Sequence, residues 1–298
     1  YRALAQDGQA YFLKLKRGAF DEVGVALPRF LHDQGIAQVI APRLTQAGRL
    51  WTDLDDFRVI LYPYVQGRSG FEVELSPQQW SDFGAALKRV HTARLPNDLY
   101  TRIPRETYTA RFRERVKTFL AQVQVDVLDD PIARDVADLL QAKEAVILDL
   151  IQRAERYAHR LQNQALEFVL CHADAHAGNI LIDAQGALYI VDWDNPILAP
   201  KERDLMFIGG AQGFHGVTPE EEETLFYRGY GPAQIDSLAL AYYRYERIIQ
   251  DIAAFCEQLL LTGEGGEDRE QSYGYLASNF LPGNTIEVAY SSDKTAQV

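Results

Sequence analysis

Apolar and polar residues alternate through residues 1–5 and again through 9–16, on either side of Asp7-Gly8, and this period of two predicts a hairpin. Residues 57–62 form a third apolar strand, with shorter strand pieces at 39–40 and 49–51. Helical spacing runs from Val23 to Gln34, ending at Gly35. Pro28 cannot sit deep in a regular helix, so that helix should start near Pro28 or kink there. Residues 67–70 read as a turn-rich link.

Beyond the link the period changes. Ser76-Pro77-Gln78-Gln79 has a cap, a first-turn proline and a reciprocal glutamine, and it opens a helix to about Ala93. Further helices are expected over 106–122, from Asp130-Pro131 towards Leu161, from the Thr218-Pro219-Glu220-Glu221 capping box, over 235–261 and over 269–280. Three short apolar strands, 168–170, 180–182 and 188–191, interrupt this helical part. The order predicts a two-lobed α+β fold: a β-rich lobe over 1–61, a linker over 62–70, a helical lobe over 71–290 and a disordered tail over 291–298.

Composition narrows the partners. The 298 residues are 47% hydrophobic, with no apolar run near the roughly 20 residues that span a bilayer. A membrane role is therefore not expected. The formal charge of −12 argues against nucleic acid and suits a cationic small molecule. Two cysteines make no disulfide framework, which points to a reducing cytoplasm.

The chemistry concentrates between two of the short strands. His172, Asp174 and Asn179 keep the H-x-D-x-x-x-x-N spacing of a kinase catalytic loop, and Asp192 follows where such enzymes place a metal-binding aspartate. Asp174 can take or orient the proton of an attacking hydroxyl. Asn179 and Asp192 supply the amide and carboxylate oxygens that Mg2+ prefers. His172 is expected to be structural. Two other readings compete: a hydrogen-bonded turn with no chemistry, or a transition-metal cluster of His172, Asp174 and His176, which needs a further ligand such as His215.

A phosphotransferase also needs a cation on a strand facing the phosphates of ATP. Lys14 and Lys16 share one strand face. Phe12, two residues before Lys14, can cover an adenine, so Lys14 is the candidate; the alternative is a pair of solvated edge lysines. The strand through Val59-Ile60-Leu61-Tyr62 runs into Pro63-Tyr64-Val65, where a base can pair with backbone. Pro63 has no N–H and offers only its carbonyl, so the donor falls to Val65.

Together these segments resemble the aminoglycoside phosphotransferase family, which shares the protein-kinase-like fold and includes choline kinase-like enzymes. The resemblance rests on Phe12-Leu13-Lys14, on residues 61–67, on the helix ending at His91, on His172 to Asn179, on Val191-Asp192-Trp193-Asp194 and on residues 199–205. Within the family it is strongest to spectinomycin phosphotransferases. The resemblance implies transfer of the ATP γ-phosphate to a hydroxyl, with Asp174 as base, Mg2+ on Asn179 and Asp192, and Lys14 on the α/β-phosphates. It also implies that Asp204 braces the catalytic loop. The chain departs from the pattern in two places. No glycine-rich nucleotide-covering loop is seen before residue 1, and the one acid near the next helix, Glu22, is poorly placed to pair with Lys14.

The acceptor is read from charge. Asp194 extends the acidic motif and can hold an amine. Glu246, on the long C-terminal helix with Asp251, Tyr242 and Tyr245, can line a pocket, or can equally be a helix-pairing charge. An aminocyclitol such as spectinomycin fits. The alternatives are a kinase of a small metabolite (an amino-alcohol or sugar) and a nucleotide-binding pseudokinase.

Overall fold

The computed structural model describes the chain apart from residues 126–127, 211–212, 214–215, 263–264 and 297–298, and apart from side chains beyond residue 293. The described residues form two compact units. One joins Tyr1–Glu106 to Glu167–Gln234; the other joins Thr107–Leu166 to Ile235–Val298.

The first unit holds every described strand. β1 (Arg2–Leu4), β2 (Ala10–Arg17), β3 (Thr52–Leu54) and β4 (Phe57–Pro63) form an antiparallel sheet in the order β1-β2-β4-β3. The register pairs Phe12 with Tyr62 and Lys14 with Ile60, which puts Phe12, Lys14 and Lys16 on one face. The strand piece expected at 49–51 lies at Thr52–Leu54 instead. Residues 39–40 form no strand of their own; Val39 makes a single parallel bridge to Ile190.

The helix α1 (Val23–Asp33) starts five residues ahead of Pro28 and carries that proline inside it. Its start is supported by Asp21, whose Oδ1 accepts from the Val23 N–H at 2.9 Å, and by the burial of Val23, Val25, Leu27 and Leu31. Tertiary burial here outweighs the proline penalty. The expected turn-rich link contains a strand, β5 (Gly67–Ser69), which pairs with β7 (Ile180–Asp183); β7 pairs in turn with β8 (Leu188–Ile190). Extended pairing across one side suffices for a strand of three residues, so composition did not reveal it.

α2 (Pro77–His91) begins as its capping box predicts. Ser76 Oγ accepts from the Gln79 N–H at 3.3 Å, and Gln79 Oε1 accepts from the Ser76 N–H at 2.8 Å. This helix packs on α7 (Pro219–Tyr230), and the crossing needs glycine on both sides. A Cβ at Gly84 would lie 2.1 Å from the Phe226 carbonyl, and one at Gly229 would lie 1.7 Å from that of Ser81. The remaining elements are α3 (Asn97–Tyr100), β6 (Val169–Cys171) paired with β9 (Ile197–Ala199), and α6 (Glu202–Leu205).

The second unit is helical: α4 (Arg111–Gln122), α5 (Pro131–Gln162), α8 (Ser237–Leu261), α9 (Gly266–Ser278) and α10 (Thr285–Ala296). α4 starts later than residue 106 because Tyr108 adopts φ +56°, outside the helical region. Residues 291–296, expected to be disordered, belong to α10. The wholly buried Asp293 pairs there with Arg153 and accepts from the Tyr245 hydroxyl at 3.1 Å. Among the described residues no helix is long and apolar enough to cross a membrane.

Candidate active site

The catalytic-loop candidates follow β6 and end in a 3-10 turn, Ala177–Asn179, which leads directly into β7. Two residues in this region hold a conformation that side chains disfavour: Ala173 at φ +72° and Asp192 at φ +64°. Each is pinned by neighbours.

Asp204 pins the first. Its Oδ2 accepts from the His172 N–H at 2.8 Å and its Oδ1 from the Ala173 N–H at 2.6 Å. His91, the last residue of α2, places Nε2 3.0 Å from Oδ2, and its Nδ1 lies 2.7 Å from the Tyr230 hydroxyl. All three side chains are buried. Burial alone would raise the Asp204 carboxyl, but hydrogen bonds from His91 and the backbone, with the nearby imidazoles, hold it below the ordinary range. Burial pushes the Tyr230 phenol up, which keeps it a donor, so His91 carries its own proton on Nε2.

His172 pins the second. Its Nε2 donates to the Val191 carbonyl at 2.9 Å, its Nδ1 accepts from the Asp174 N–H at 3.2 Å, and its ring stands edge-on to Trp193 at 4.6 Å. The Val191 N–H donates to the Asn179 carbonyl at 2.9 Å. The loop and the Val191-Asp192 segment are thereby stitched together through both backbone groups of Val191.

Asn179 is oriented by its amide nitrogen, which donates to the Asp174 carbonyl at 2.8 Å and to Asp174 Oδ2 at 3.2 Å. Its Oδ1 is then the atom left for a hard cation. Asp192 follows Val191, which bonds the Asn179 carbonyl, and its side chain is 48% exposed. A carboxylate and an amide oxygen form a donor set that fits Mg2+ and does not suit a soft metal.

The transition-metal alternative loses support, because both nitrogens of His172 are spent on backbone; His215 lies outside the described residues. A buried His91–Cys171–Asp204 cluster has ligand-like spacing. Its carboxylate and imidazole already hold the loop, and burial keeps the Cys171 thiol protonated. That cluster is a hydrogen-bonded core. Both cysteines are free and buried.

Beside the loop is a cleft of about 220 Å³ lined by Phe12, Lys14, Tyr62, Pro63, Val65 and Ile190, with Asp192 and Trp193 also at its wall. Its lining is mainly apolar, with Lys14 and Asp192 as the charged members. Lys14 Nζ lies 2.8 Å from both Asp192 Oδ1 and Asp194 Oδ1, and Lys16 Nζ lies 2.7 Å from Asp194 Oδ2. Burial pulls the Lys14 ammonium down, yet its bonds to the two aspartates outweigh this and leave it above its ordinary value. The same lysines overcome burial at Asp194 and lower its carboxyl. Glu22, the doubtful partner for Lys14, pairs with Arg102 at 3.0 Å.

The first unit therefore brings together Lys14, Pro63, Val65, His172, Asp174, Asn179, Asp192, Asp194 and Asp204. Glu246 belongs to the helical unit, where it is buried with Arg113 Nε 3.2 Å from its Oε2. Sequence reasoning gave no role to His91 or Tyr230. His91 ends a helix in a stretch read only for its helical pattern, and Tyr230 looks like one more aromatic on an amphipathic stripe.

A loop carboxylate, an amide and a carboxylate oxygen of the kind hard cations take, and a strand lysine beside an apolar cleft are the arrangement expected of a kinase-like phosphotransferase. Comparison with known proteins agrees. Residues 1–238 match the phosphotransferase enzyme family, and the chain belongs to it. The structure is similar to a crystal structure of the spectinomycin phosphotransferase APH(9)-Ia in complex with ADP and spectinomycin. The two are 36% identical at a TM-score of 0.90, over 98% of this chain and 88% of that one. An AMP-bound complex of the same phosphotransferase gives 37% identity and a TM-score of 0.87, over 96% and 88% of the two chains. An ethanolamine kinase from Plasmodium vivax shares the fold at 14% identity and a TM-score of 0.59, over 96% and 78%. Protein StrN from Streptomyces griseus is 25% identical over 178 residues, 58% of this chain and 55% of that protein. The chain thus spans about half the length of this curated relative. By family and fold it stands among the ATP-dependent phosphotransferases, with the α+β architecture of that class.

Proposed function

We propose that this chain transfers the γ-phosphoryl group of ATP to a hydroxyl of a spectinomycin-like aminocyclitol, with Asp174 as the base. The observation that carries the chemistry is the way Asn179 is held. Its amide nitrogen fixes the Asp174 carboxylate, so proton acceptor and cation ligand are set by one side chain. The acceptor class rests on the likeness to the spectinomycin phosphotransferase.

Phosphoryl transfer needs positioning and charge neutralisation more than covalent help. Phe12 and Ile190 offer apolar faces to the adenine. The Pro63 carbonyl and the Val65 N–H give one acceptor and one donor along its edge. Lys14 brings its cation to the phosphate end of the cleft. Mg2+ held by Asn179 and Asp192 would neutralise charge on the phosphates. One of the Asp174 carboxylate oxygens takes the proton of the acceptor hydroxyl. Asp194 was expected to contact the acceptor; paired with both strand lysines, it is assigned here to anchoring Lys14, in place of Glu22. Glu246 remains a candidate for the acceptor pocket only as one half of its pair with Arg113.

The test is an acceptor screen with the purified protein and Mg-ATP, followed by ADP release. Spectinomycin should release ADP and appear as a monophosphorylated product, and expression should raise resistance to it. ADP release with amino-alcohols or sugars but not spectinomycin would make the chain a metabolite kinase. Silence across the panel would make it a pseudokinase.

A further inference from the structure

His176 takes no part in the chemistry above, yet its ring is among the most constrained in the loop. Its Nδ1 accepts from the Gly178 N–H at 3.0 Å. One face stacks on Phe71, with centroids 5.5 Å apart and planes 25° from parallel, and Phe207 lies at 6.2 Å. Gly178 leaves the ring no slack: a Cβ there would be 2.4 Å from Phe71 Cε2 and 2.7 Å from His176 Cε1. A side chain needed only to cap one N–H would not need such a slot.

The ring is aimed at the catalytic candidate. With Nδ1 occupied as an acceptor, the neutral imidazole carries its proton on Nε2. That nitrogen lies 3.6 Å from Asp174 Oδ1, an electrostatic contact longer than a hydrogen bond. The Asn179 amide nitrogen, 3.4 Å away, is also a donor in this tautomer, so the carboxylate is the acceptor that both groups face. Asn179 already donates to the other oxygen, Oδ2, at 3.2 Å. A carboxylate held at one oxygen can still pivot, because this torsion has a broad, shallow profile. A second donor on the opposite oxygen removes that freedom.

We propose that His176 is a positioning residue for Asp174: its Nε2–H faces Oδ1 and attracts it across 3.6 Å while Asn179 holds Oδ2, so that the carboxylate meets the acceptor hydroxyl in one orientation. The proposal rests on Asp174 being the base. His176 itself takes no proton from the substrate, since its Nδ1 lone pair accepts from the Gly178 N–H and its Nε2 already carries a proton.

Two substitutions separate this role from simple capping. His176→Asn keeps a short polar group able to accept from the Gly178 N–H, as asparagine does at helix starts, but has no donor at the Nε2 position. His176→Gln places an amide N–H near that position. If the proposal holds, His176→Asn lowers kcat about tenfold with the KM for Mg-ATP within about twofold, and His176→Gln recovers most of the loss. Both should melt at the wild-type temperature. Equal losses in the two variants, or a lower melting temperature with kcat and KM changing together, would show a structural cap and overturn it. Asp174→Asn, assayed in parallel, keeps the two readings apart. Full activity in that variant removes the base and this proposal with it. Loss in that variant beside a wild-type kcat in His176→Asn removes this proposal alone.

Discussion

Asp204→Asn tests how the strained loop is held. The carboxylate is fully buried and accepts three hydrogen bonds, from the His172 N–H, the Ala173 N–H and His91 Nε2. An amide has one acceptor oxygen. With its oxygen towards Ala173, its NH2 group faces two donors; flipped, it faces Ala173. Either way at least one buried N–H is left unpaired. Hydrogen bonds to a charged group are worth about 1.5–3 kcal/mol each, so the loss should be near 3 kcal/mol. In a chain of this size that is a fall of roughly 5–10 °C in the melting temperature. Ala173 adds a second effect. Its left-handed backbone costs about 1–2 kcal/mol and persists because Asp204 holds its N–H. Released, it relaxes and carries the adjacent Asp174 with it. A displacement near 1 Å can cost about a hundredfold, so kcat should fall by that order while Mg-ATP binding is kept, since Lys14 does not touch Asp204. Differential scanning calorimetry and steady-state kinetics measure the two parts. An Asn variant with wild-type melting and wild-type kcat would refute the brace. Ala173→Gly is the internal control: it suits a positive φ and should preserve or raise stability.

Two further outcomes follow from the charges. Lys14→Met should raise the KM for Mg-ATP at least about tenfold and change the apparent acceptor KM little, because the lysine reaches the cleft and not Asp174; unchanged nucleotide affinity would remove it from the site. The depressed Asp204 carboxyl gives a stability contribution with a fixed sign. Its folded pKa is below the unfolded value near 3.9, so the contribution is complete above about pH 5 and is lost as pH falls through the folded value. The stability difference between wild type and Asp204→Asn, followed by urea denaturation, should be flat from about pH 7 to 5 and shrink below about 4. A difference that grows on acidification would reverse the sign and contradict the assignment.

The elements that could be read from sequence were those whose signal is local. Capping boxes at Ser76 and Thr218 and the cap at Asp130 fixed three helix starts to the residue, because a side chain and a backbone N–H three positions on decide them. The order of polar residues from His172 to Asp192 was legible for a similar reason: one tight loop and the short hairpin that follows it carry them. What escaped depends on distant partners. β5 exists through its pairing with β7. α1 passes over Pro28 because its apolar face is buried. Residues 291–296 are helical because Arg153 and Tyr245 take up Asp293. The Tyr230–His91–Asp204 chain joins three segments with no periodic signature. Asp194 could be read as an acid near the acceptor, but its partners are the strand lysines opposite.

The most direct measurement is a single-turnover phosphoryl transfer with Mg-ATP and spectinomycin, comparing wild type with Asp174→Asn by rapid quench. The account predicts phosphorylated spectinomycin and stoichiometric ADP from wild type. It predicts that the variant binds Mg-ATP with near wild-type affinity and loses at least about a thousandfold in the transfer rate. A variant that transfers phosphate at the wild-type rate would contradict it.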